Sequence, residues 1–218
     1  MNSKHLISKT LAVFTAAGAT QAMAQNIEVN FINHSIYENV NGTTDNGGYE
    51  QSWPSGVMDF TVVSSGDSFD AFCVEPSQGI SYGETLIYEV QDPSSLSNYD
   101  TIARLVGGYL ASSQTDLEAA ATYWALMEVT AETGATYSLT AGSVQITELA
   151  TPLNQEVADL ADSYLANVGS YTAAEIVYLS NATRQDVVVF GDGVTSVPEP
   201  SAIALVALSG LALLGRRR

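Results

Sequence analysis

The chain has 218 residues, 24 acidic against seven basic side chains, a formal net charge of −17 and a single cysteine, Cys73. A surface this acidic repels nucleic acid and anionic lipid headgroups, so we expect neither as a partner. One cysteine excludes an internal disulfide, and a structural zinc site needs more cysteine and histidine than the chain contains. The core must therefore be held together by packing.

The first 24 residues have the pattern of a secretory signal peptide. The pattern consists of a basic start, an apolar middle and two small residues: Lys4, Lys9, residues 11–19, Ala22 and Ala24. Signal peptidase reads small side chains at these last two positions. The sequence therefore predicts export and cleavage by signal peptidase before Gln25.

We expect residues 25–196 to form one extracytoplasmic domain, since about 170 residues can bury a substantial core. It holds 23 acidic residues and only Arg104 and Arg184 as bases, which gives a formal charge of about −21 (2 minus 23). It contains no lysine. Such a charge favours solubility or contact with cations.

Strands are predicted in both halves of this domain. Ile27, Val29 and Phe31 alternate with polar residues, as in a half-buried strand. The polar, glycine-bearing stretch at residues 39–56 predicts a long loop. Further strands are predicted at residues 57–63, 68–75, 84–90, 175–179 and 186–190. The turn-forming residues 64–67 predict a hairpin between two of them.

The middle of the chain changes to helical spacing, with predicted helices at residues 96–110, 117–133 and 152–168. Thr115 and Glu118 form a capping-box pattern before the second helix, and Gly134 is placed to end it. Gly107 and Gly108 predict a kink or an end in the first helix. Strands flanking a block of about three helices indicate an α+β fold of antiparallel strands.

Two segments, Phe72-Cys73-Val74-Glu75 and residues 120–129, resemble the reactive site of thioester-domain adhesins. In those proteins a cysteine on a strand and a glutamine on a helix form a thioester, an acyl group activated toward a nucleophile. Tyr123 stands at the glutamine position here, and a tyrosine cannot supply the acyl carbon. The resemblance therefore implies a degenerate pair, Cys73 and Tyr123. A buried, inert thiol is the favoured state of Cys73, with intermolecular pairing or a free reactive thiol as alternatives.

Enzymatic patterns are weak in this sequence. His34 is the one histidine after residue 24, and it could serve a Ser-His-Asp triad or a dyad with Cys73. No Gly-x-Ser-x-Gly turn accompanies a serine. No single carboxylate pair of the glycosidase type stands out. We therefore expect no catalytic residues, and an extracellular hydrolase with an unrecognised site stays as an alternative.

No cofactor is expected, and calcium is the one alternative that the oxygen-bearing side chains leave open. These side chains cluster at Glu38, Asn39, Asn41, Asp45 and Asn46, and again at Asp67 and Asp70. No EF-hand spacing accompanies them, which favours a solvated acidic surface. Tyr49 and Trp53 are the candidate aromatic contacts for exopolysaccharide, because they lie outside the apolar patterns of the core.

The last 22 residues, 197–218, combine a rigid tripeptide, an apolar run and a basic end. They comprise Val197, Pro198, Glu199, Pro200, the apolar residues 202–215, and Arg216, Arg217 and Arg218. The two prolines prevent a helix from starting before Pro200. The apolar run of 14 residues is about 21 Å long as a helix, short against a bilayer core of ~30 Å.

This order of features resembles the PEP-CTERM sorting signal of Gram-negative bacteria. The resemblance implies processing by an exosortase-type enzyme near Pro-Glu-Pro. It also implies an intermediate held in the inner membrane by the C-terminal segment, followed by delivery to the cell surface or exopolysaccharide matrix. The sequence thus predicts a non-enzymatic exported protein with a structural or binding role. A degenerate thioester-type adhesin is the main alternative.

Overall fold

The computed structural model describes residues 25–44, 51–132 and 136–197. Within these ranges a seven-stranded antiparallel sheet packs with three α-helices, which confirms the α+β fold. The strands are β1 (Gln25–Thr44), β2 (Gln51–Val62), β3 (Ser68–Cys73), β4 (Thr85–Gln91), β5 (Val144–Ile146), β6 (Val177–Ser180) and β7 (Val187–Val189). The helices are α1 (Tyr99–Leu110), α2 (Asp116–Ala131) and α3 (Pro152–Asn167).

The long strand β1 closes the sheet on itself. It pairs with β4 through its first residues, with β2 along most of its length and with β5 at its end. The remaining order is β2-β3-β7-β6-β4, so these pairings join six strands into a closed ring. Phe60 lies between its register partners Phe31 and Phe69, and its ring contacts both of theirs and that of Tyr88. All four side chains are buried, so aromatic packing fills this part of the ring.

The prediction of a loop at residues 39–56 is wrong for the part that the structure describes. Residues 39–44 complete β1 and residues 51–56 begin β2, while residues 45–50 lie outside the described ranges. The glycines in this stretch suggested a loop, but two of them occur within strands at positions that have no room for a side chain. A Cβ at Gly42 would lie 2.1 Å from Cη2 of Trp124, and one at Gly56 would lie 2.1 Å from the carbonyl oxygen of Ile36. The short strand β5 was also not predicted.

Helix α2 is the centre of the helical layer, and its predicted start is confirmed. The Thr115 hydroxyl accepts a hydrogen bond from the Glu118 amide, and the Glu118 carboxylate accepts one from the Thr115 amide. Every residue from position 119 to 129 is buried, because the helix packs against β1, β2, α1 and α3. Trp124 donates from Nε1 to the Ser55 hydroxyl at 2.9 Å, which fixes the helix on the sheet. The proposed end residue, Gly134, lies outside the described ranges.

Helix α1 continues through Gly107 and Gly108 to Leu110, so the helix does not end at these glycines. Both glycines permit close packing of the following chain. A Cβ at Gly107 would lie 1.9 Å from the Thr172 carbonyl oxygen, and one at Gly108 would lie 2.9 Å from the Tyr171 ring. No helix within the described ranges has the length and hydropathy needed to cross a bilayer. The apolar run at residues 202–215 lies outside those ranges.

Candidate functional site

Cys73 lies at the end of β3, paired with Val187 of β7, and its side chain is fully buried. Its sulfur donates to the Glu75 carbonyl oxygen and accepts from the Glu75 amide, both at 3.4 Å. Burial raises the pKa of the thiol well above its ordinary value, and the nearby charges of Glu75 and Asp186 raise it further. The thiol is therefore protonated at neutral pH and poorly nucleophilic.

Tyr123 lies on α2, which packs against β3, the strand that carries Cys73. Burial raises the pKa of the Tyr123 hydroxyl, and the charge that Cys73 would carry as a thiolate raises it further. The Gln185 side chain hydrogen-bonds to Tyr123, and the Gln185 carbonyl oxygen accepts from the Tyr88 hydroxyl at 2.9 Å. Cys73, Tyr88, Tyr123 and Gln185 thus form a buried polar group, which we call the Cys73 cluster.

Gln185 was not identified from the sequence as part of this cluster. It enters through the connection between β6 and β7, far along the chain from both Cys73 and Tyr123. Its position follows from the pairing of β3 with β7, in which the Val74 amide donates to the Asp186 carbonyl oxygen. A carboxamide is therefore present beside Tyr123, but it comes from a strand connection and not from α2.

His34 lies near a β-bulge in β1 and belongs to a different cluster. Its Nδ1 is 3.0 Å from the Tyr82 hydroxyl, and its ring packs against those of Phe31 and Tyr37. Burial lowers the pKa of His34 to about 4, so the ring is neutral at pH 7. Within the part of the chain that the structure describes, no contact joins His34 to Cys73 or to a carboxylate. The triad and dyad that the sequence left open are thus not assembled there.

The residues of the two calcium alternatives are dispersed. Asn41 donates from Nδ2 to the Glu148 carboxylate, and Glu38 and Asn39 lie along β1. Asp45 and Asn46 lie outside the described ranges. Asp67 belongs to the β2–β3 turn, where its amide donates to the Ser65 hydroxyl. Among the residues described, no group of three or more His, Cys, Asp or Glu side chains is placed to hold a metal ion.

Asp70 instead lies opposite Asp59, across the β2–β3 pairing. Burial raises the pKa of Asp70 to about 6, and the charge of Asp59 and a hydrogen bond with it contribute to this shift. The predicted turn at residues 64–67 would have placed residue 61 opposite Asp70. The observed register pairs Thr61 with Ser68, and this shift brings Asp59 opposite Asp70.

Of the two aromatic residues proposed as contacts for exopolysaccharide, Trp53 and Tyr49, the structure describes only Trp53. Trp53 lies in β2 opposite Val40 and is partly buried, and its Nε1 has no hydrogen-bond partner among the described residues. Tyr49 lies outside the described ranges. The structure adds Tyr82, which stacks one face on Phe31 and is 59% exposed.

The folded body extends to Val197, which is 2% exposed and belongs to the hydrophobic core. It follows the 3₁₀ helix Gly191–Ser196, which contacts β3. The other proposed sorting residues lie outside the described ranges: Pro198, Glu199, Pro200, Arg216, Arg217 and Arg218. Residues 1–24, with the proposed cleavage positions Ala22 and Ala24, lie outside them as well, whereas Gln25 begins β1.

Comparison with protein families identifies one match. Residues 196–218 match the family model of the PEP-CTERM protein-sorting motif. No curated protein and no solved structure matches the chain. The chain therefore carries a PEP-CTERM sorting motif at its C-terminal end, and this motif implies export, processing by an exosortase-type enzyme and a membrane-anchored intermediate.

Proposed function

We propose that the mature chain is a non-enzymatic protein of the cell surface or exopolysaccharide matrix, with a structural or binding role. The observation that carries this proposal is the sorting motif at residues 196–218. The motif adjoins the folded body directly, since Val197 is still buried in the core. The folded domain is thus the part of the chain that is delivered, and the sorting motif determines its location.

The chemistry of the candidate sites supports a non-catalytic role. The Cys73 thiol is buried and its raised pKa keeps it protonated, while His34 is neutral and bonded to Tyr82. General acid–base catalysis at neutral pH needs a group that exchanges protons near that pH and can reach a substrate. Neither of these groups meets both conditions.

Polysaccharide is the proposed binding partner, and the Tyr82 surface supports it. Tyr82 is held by stacking on Phe31 at 5.3 Å and by its contact with His34, so its exposed face is already ordered. Tyr37 extends the aromatic area beside His34. An ordered aromatic face loses little side-chain entropy when a ring stacks on it. The cluster is uncharged at neutral pH, which suits a neutral sugar.

Sorting is tested by replacing Pro198 and Pro200 with Ala and following the protein by cell fractionation. We expect the variant to remain in the inner membrane while the unchanged chain reaches the surface or matrix. A matched control replaces Pro93 and Pro152, two prolines of the body, and should be sorted normally. Identical distributions of the three proteins would contradict the proposed role of the tripeptide.

The binding role is tested separately, with polysaccharide extracted from the host's matrix. We expect the full chain, purified in mild detergent, to sediment with this polysaccharide, and Tyr82→Ala to bind at least about tenfold more weakly, a loss of about 1.4 kcal/mol. Tyr99→Ala is the control, since Tyr99 is also partly exposed but lies on α1. Equal binding by both variants would exclude the Tyr82 surface.

A degenerate thioester-type adhesin is the second candidate, and one observation favours it. Helix α2, which carries Tyr123, packs against β3, which carries Cys73, and the charge of a Cys73 thiolate would raise the pKa of Tyr123. Intact mass under denaturing conditions tests for a surviving thioester. We expect the full mass and one alkylated thiol, whereas loss of one ammonia together with a blocked thiol would show a bond between Cys73 and a glutamine.

A further inference from the structure

The last folded segment of the body is a short strap that packs against β3. The 3₁₀ helix Gly191–Ser196 contacts this strand, and Val197 after it is 2% exposed within the hydrophobic core. The Phe190 amide donates to the Asp70 carbonyl oxygen at 3.3 Å, which fixes the start of the segment on β3. We call residues 191–197 the C-terminal strap.

Gly193, in the middle of the C-terminal strap, is buried against the sheet. A Cβ at this position would lie 2.7 Å from the Phe69 Cβ and 3.1 Å from Cγ1 of Val189. There is no room for a side chain there, so glycine is what lets the strap pack directly on β3 and β7. Within the strap, the Thr195 hydroxyl donates to the Asp192 carbonyl oxygen at 2.9 Å and stabilises the helical turn.

The C-terminal strap overlaps the sorting motif. The motif begins at residue 196, whereas the folded body ends at Val197, so the first two motif residues belong to the body. Pro198 follows Val197 directly in the sequence, without a linker between body and tripeptide. Enzymes that process a chain act on exposed, poorly packed segments. While Val197 is docked in the core, the residue next to the tripeptide is not accessible to such an enzyme.

The sequence also allows only a short distance between the body and the membrane. Four residues, 198–201, separate Val197 from the apolar run that begins at Ala202. Even when fully extended, the five steps between these two residues reach only about 17 Å, at ~3.4 Å per residue. Detachment of the strap would add seven residues, 191–197, or about 24 Å more. Detachment therefore frees Val197 and gives a membrane enzyme room beside the body.

We propose that the C-terminal strap must detach from β3 before an exosortase-type enzyme can process the tripeptide, so that the folded body limits the rate of its own sorting. The proposal rests on the sorting role given above and adds a conformational step to it. Terminal segments can open locally while the rest of a protein stays folded. When opening is fast relative to processing, the rate of processing is proportional to the fraction of molecules whose strap is open.

Two variants make the motif more accessible by different means. Gly193→Ala introduces a Cβ that has no room on β3, and it leaves the motif at residues 196–218 unchanged. The second variant inserts a flexible Gly-Ser linker of about eight residues, followed by a copy of Ser196-Val197, between Val197 and Pro198. It keeps the original strap docked and offers the enzyme a complete motif outside the folded body.

Pulse labelling in the host measures how fast each full chain is converted to its processed form. We expect both variants to be processed about tenfold faster than the unchanged chain, since overpacking of this kind weakens docking by roughly that factor. Gly169→Ala is the matched control, because a Cβ at Gly169 meets no atom within 4 Å. It should be processed at the unchanged rate.

Hydrogen exchange of the purified full chains in mild detergent reports the opening of the strap directly. Mass spectrometry of the peptide that covers residues 191–197 should show faster exchange in Gly193→Ala than in the unchanged chain. The linker variant and Gly169→Ala should exchange as the unchanged chain does. Thermal unfolding checks that each variant is folded, and the linker variant alone decides if Gly193→Ala does not fold.

Equal processing rates of the linker variant and the unchanged chain would overturn the proposal, because the folded body would then not limit access to the motif. Faster exchange of the strap in Gly193→Ala without faster processing would overturn it as well. The absence of processing in every chain, the linker variant included, would overturn the sorting role itself. Failure of the proposal is thus distinguishable from failure of the sorting role on which it rests.

Discussion

The two ends of the short strand β3 carry polar groups in opposite situations. Cys73 points into the protein, where it is fully buried and bonded to the backbone of Glu75. Asp70, three residues earlier, projects from the other face, reaches solvent and meets the carboxylate of Asp59. Burial keeps the thiol protonated and unreactive, whereas partial exposure leaves two facing carboxyl groups, of which Asp70 has a pKa raised to about 6. A reactive residue type alone therefore does not show whether its side chain can be reached from solvent.

The largest effect that we expect concerns the rate at which Cys73 is alkylated. In the folded protein the thiol should react at least ~10³-fold more slowly than in denaturant, because a protein of ordinary stability is unfolded only to that small extent. Reaction with iodoacetamide, followed by mass spectrometry with and without urea, measures the ratio. Comparable rates with and without urea would show that the thiol is accessible in the folded protein. Cys73 and Asp70 would then not differ in exposure.

Phe72→Ala tests the packing of β3 against the helical layer. Phe72 is fully buried and its ring contacts those of Tyr109 and Phe190. We expect the free energy of unfolding to fall by about 3–5 kcal/mol, as for other buried phenylalanines. Urea unfolding measures it, with Asp67→Ala in the exposed turn as a control that should change stability by less than about 0.5 kcal/mol. An equally small effect of Phe72→Ala would mean that α1 does not pack there.

Cys73→Ser keeps the size of the buried side chain and changes its polarity. A serine hydroxyl buried at this position should lower the free energy of unfolding by about 1–3 kcal/mol, since its desolvation is only partly offset by Glu75. Cys73→Ala is the comparison that lacks the hydroxyl. A serine variant as stable as the original chain would indicate water or a polar partner at the sulfur position.

The smallest effect is the pH dependence contributed by Asp70. The pKa of this carboxyl rises from 3.8 to about 6 on folding, because of burial and the charge of Asp59. A raised acid pKa means that the folded state holds the proton more tightly. The contribution of Asp70 to stability is therefore greatest below pH 4 and declines as the pH rises to about 6. Solvent screening should keep the change below about 1 kcal/mol.

The difference in unfolding free energy between the unchanged chain and Asp70→Asn, measured across this pH range, isolates that contribution. His34 and Glu128 also have shifted pKa values, to about 4 and about 7, but they are present in both proteins. Their contributions therefore cancel in the difference. A constant difference from pH 4 to pH 7 would show that Asp70 has an ordinary pKa.

What the sequence could predict depends on whether the determining residues are contiguous. The capping box of α2 and the sorting motif lie in short continuous stretches and were recognised. The strands at residues 39–56 were missed because their glycines suggested a loop. Gly42 is required by the Trp124 ring and Gly56 by the Ile36 carbonyl oxygen, since a Cβ at either position would clash. Both contacts join residues that are distant in the sequence. Gln185 was missed for the same reason, since only the pairing of β3 with β7 brings it to the Cys73 cluster.

The most direct test of the sorting account is the mass of the protein recovered from its host. Intact mass spectrometry should compare the chain from the normal strain with the chain from a strain lacking its exosortase. We predict a normal product that has lost residues beyond the Pro-Glu-Pro tripeptide, and a heavier product that retains residues 201–218 in the mutant strain. Identical masses and identical membrane fractions in the two strains would contradict processing by an exosortase.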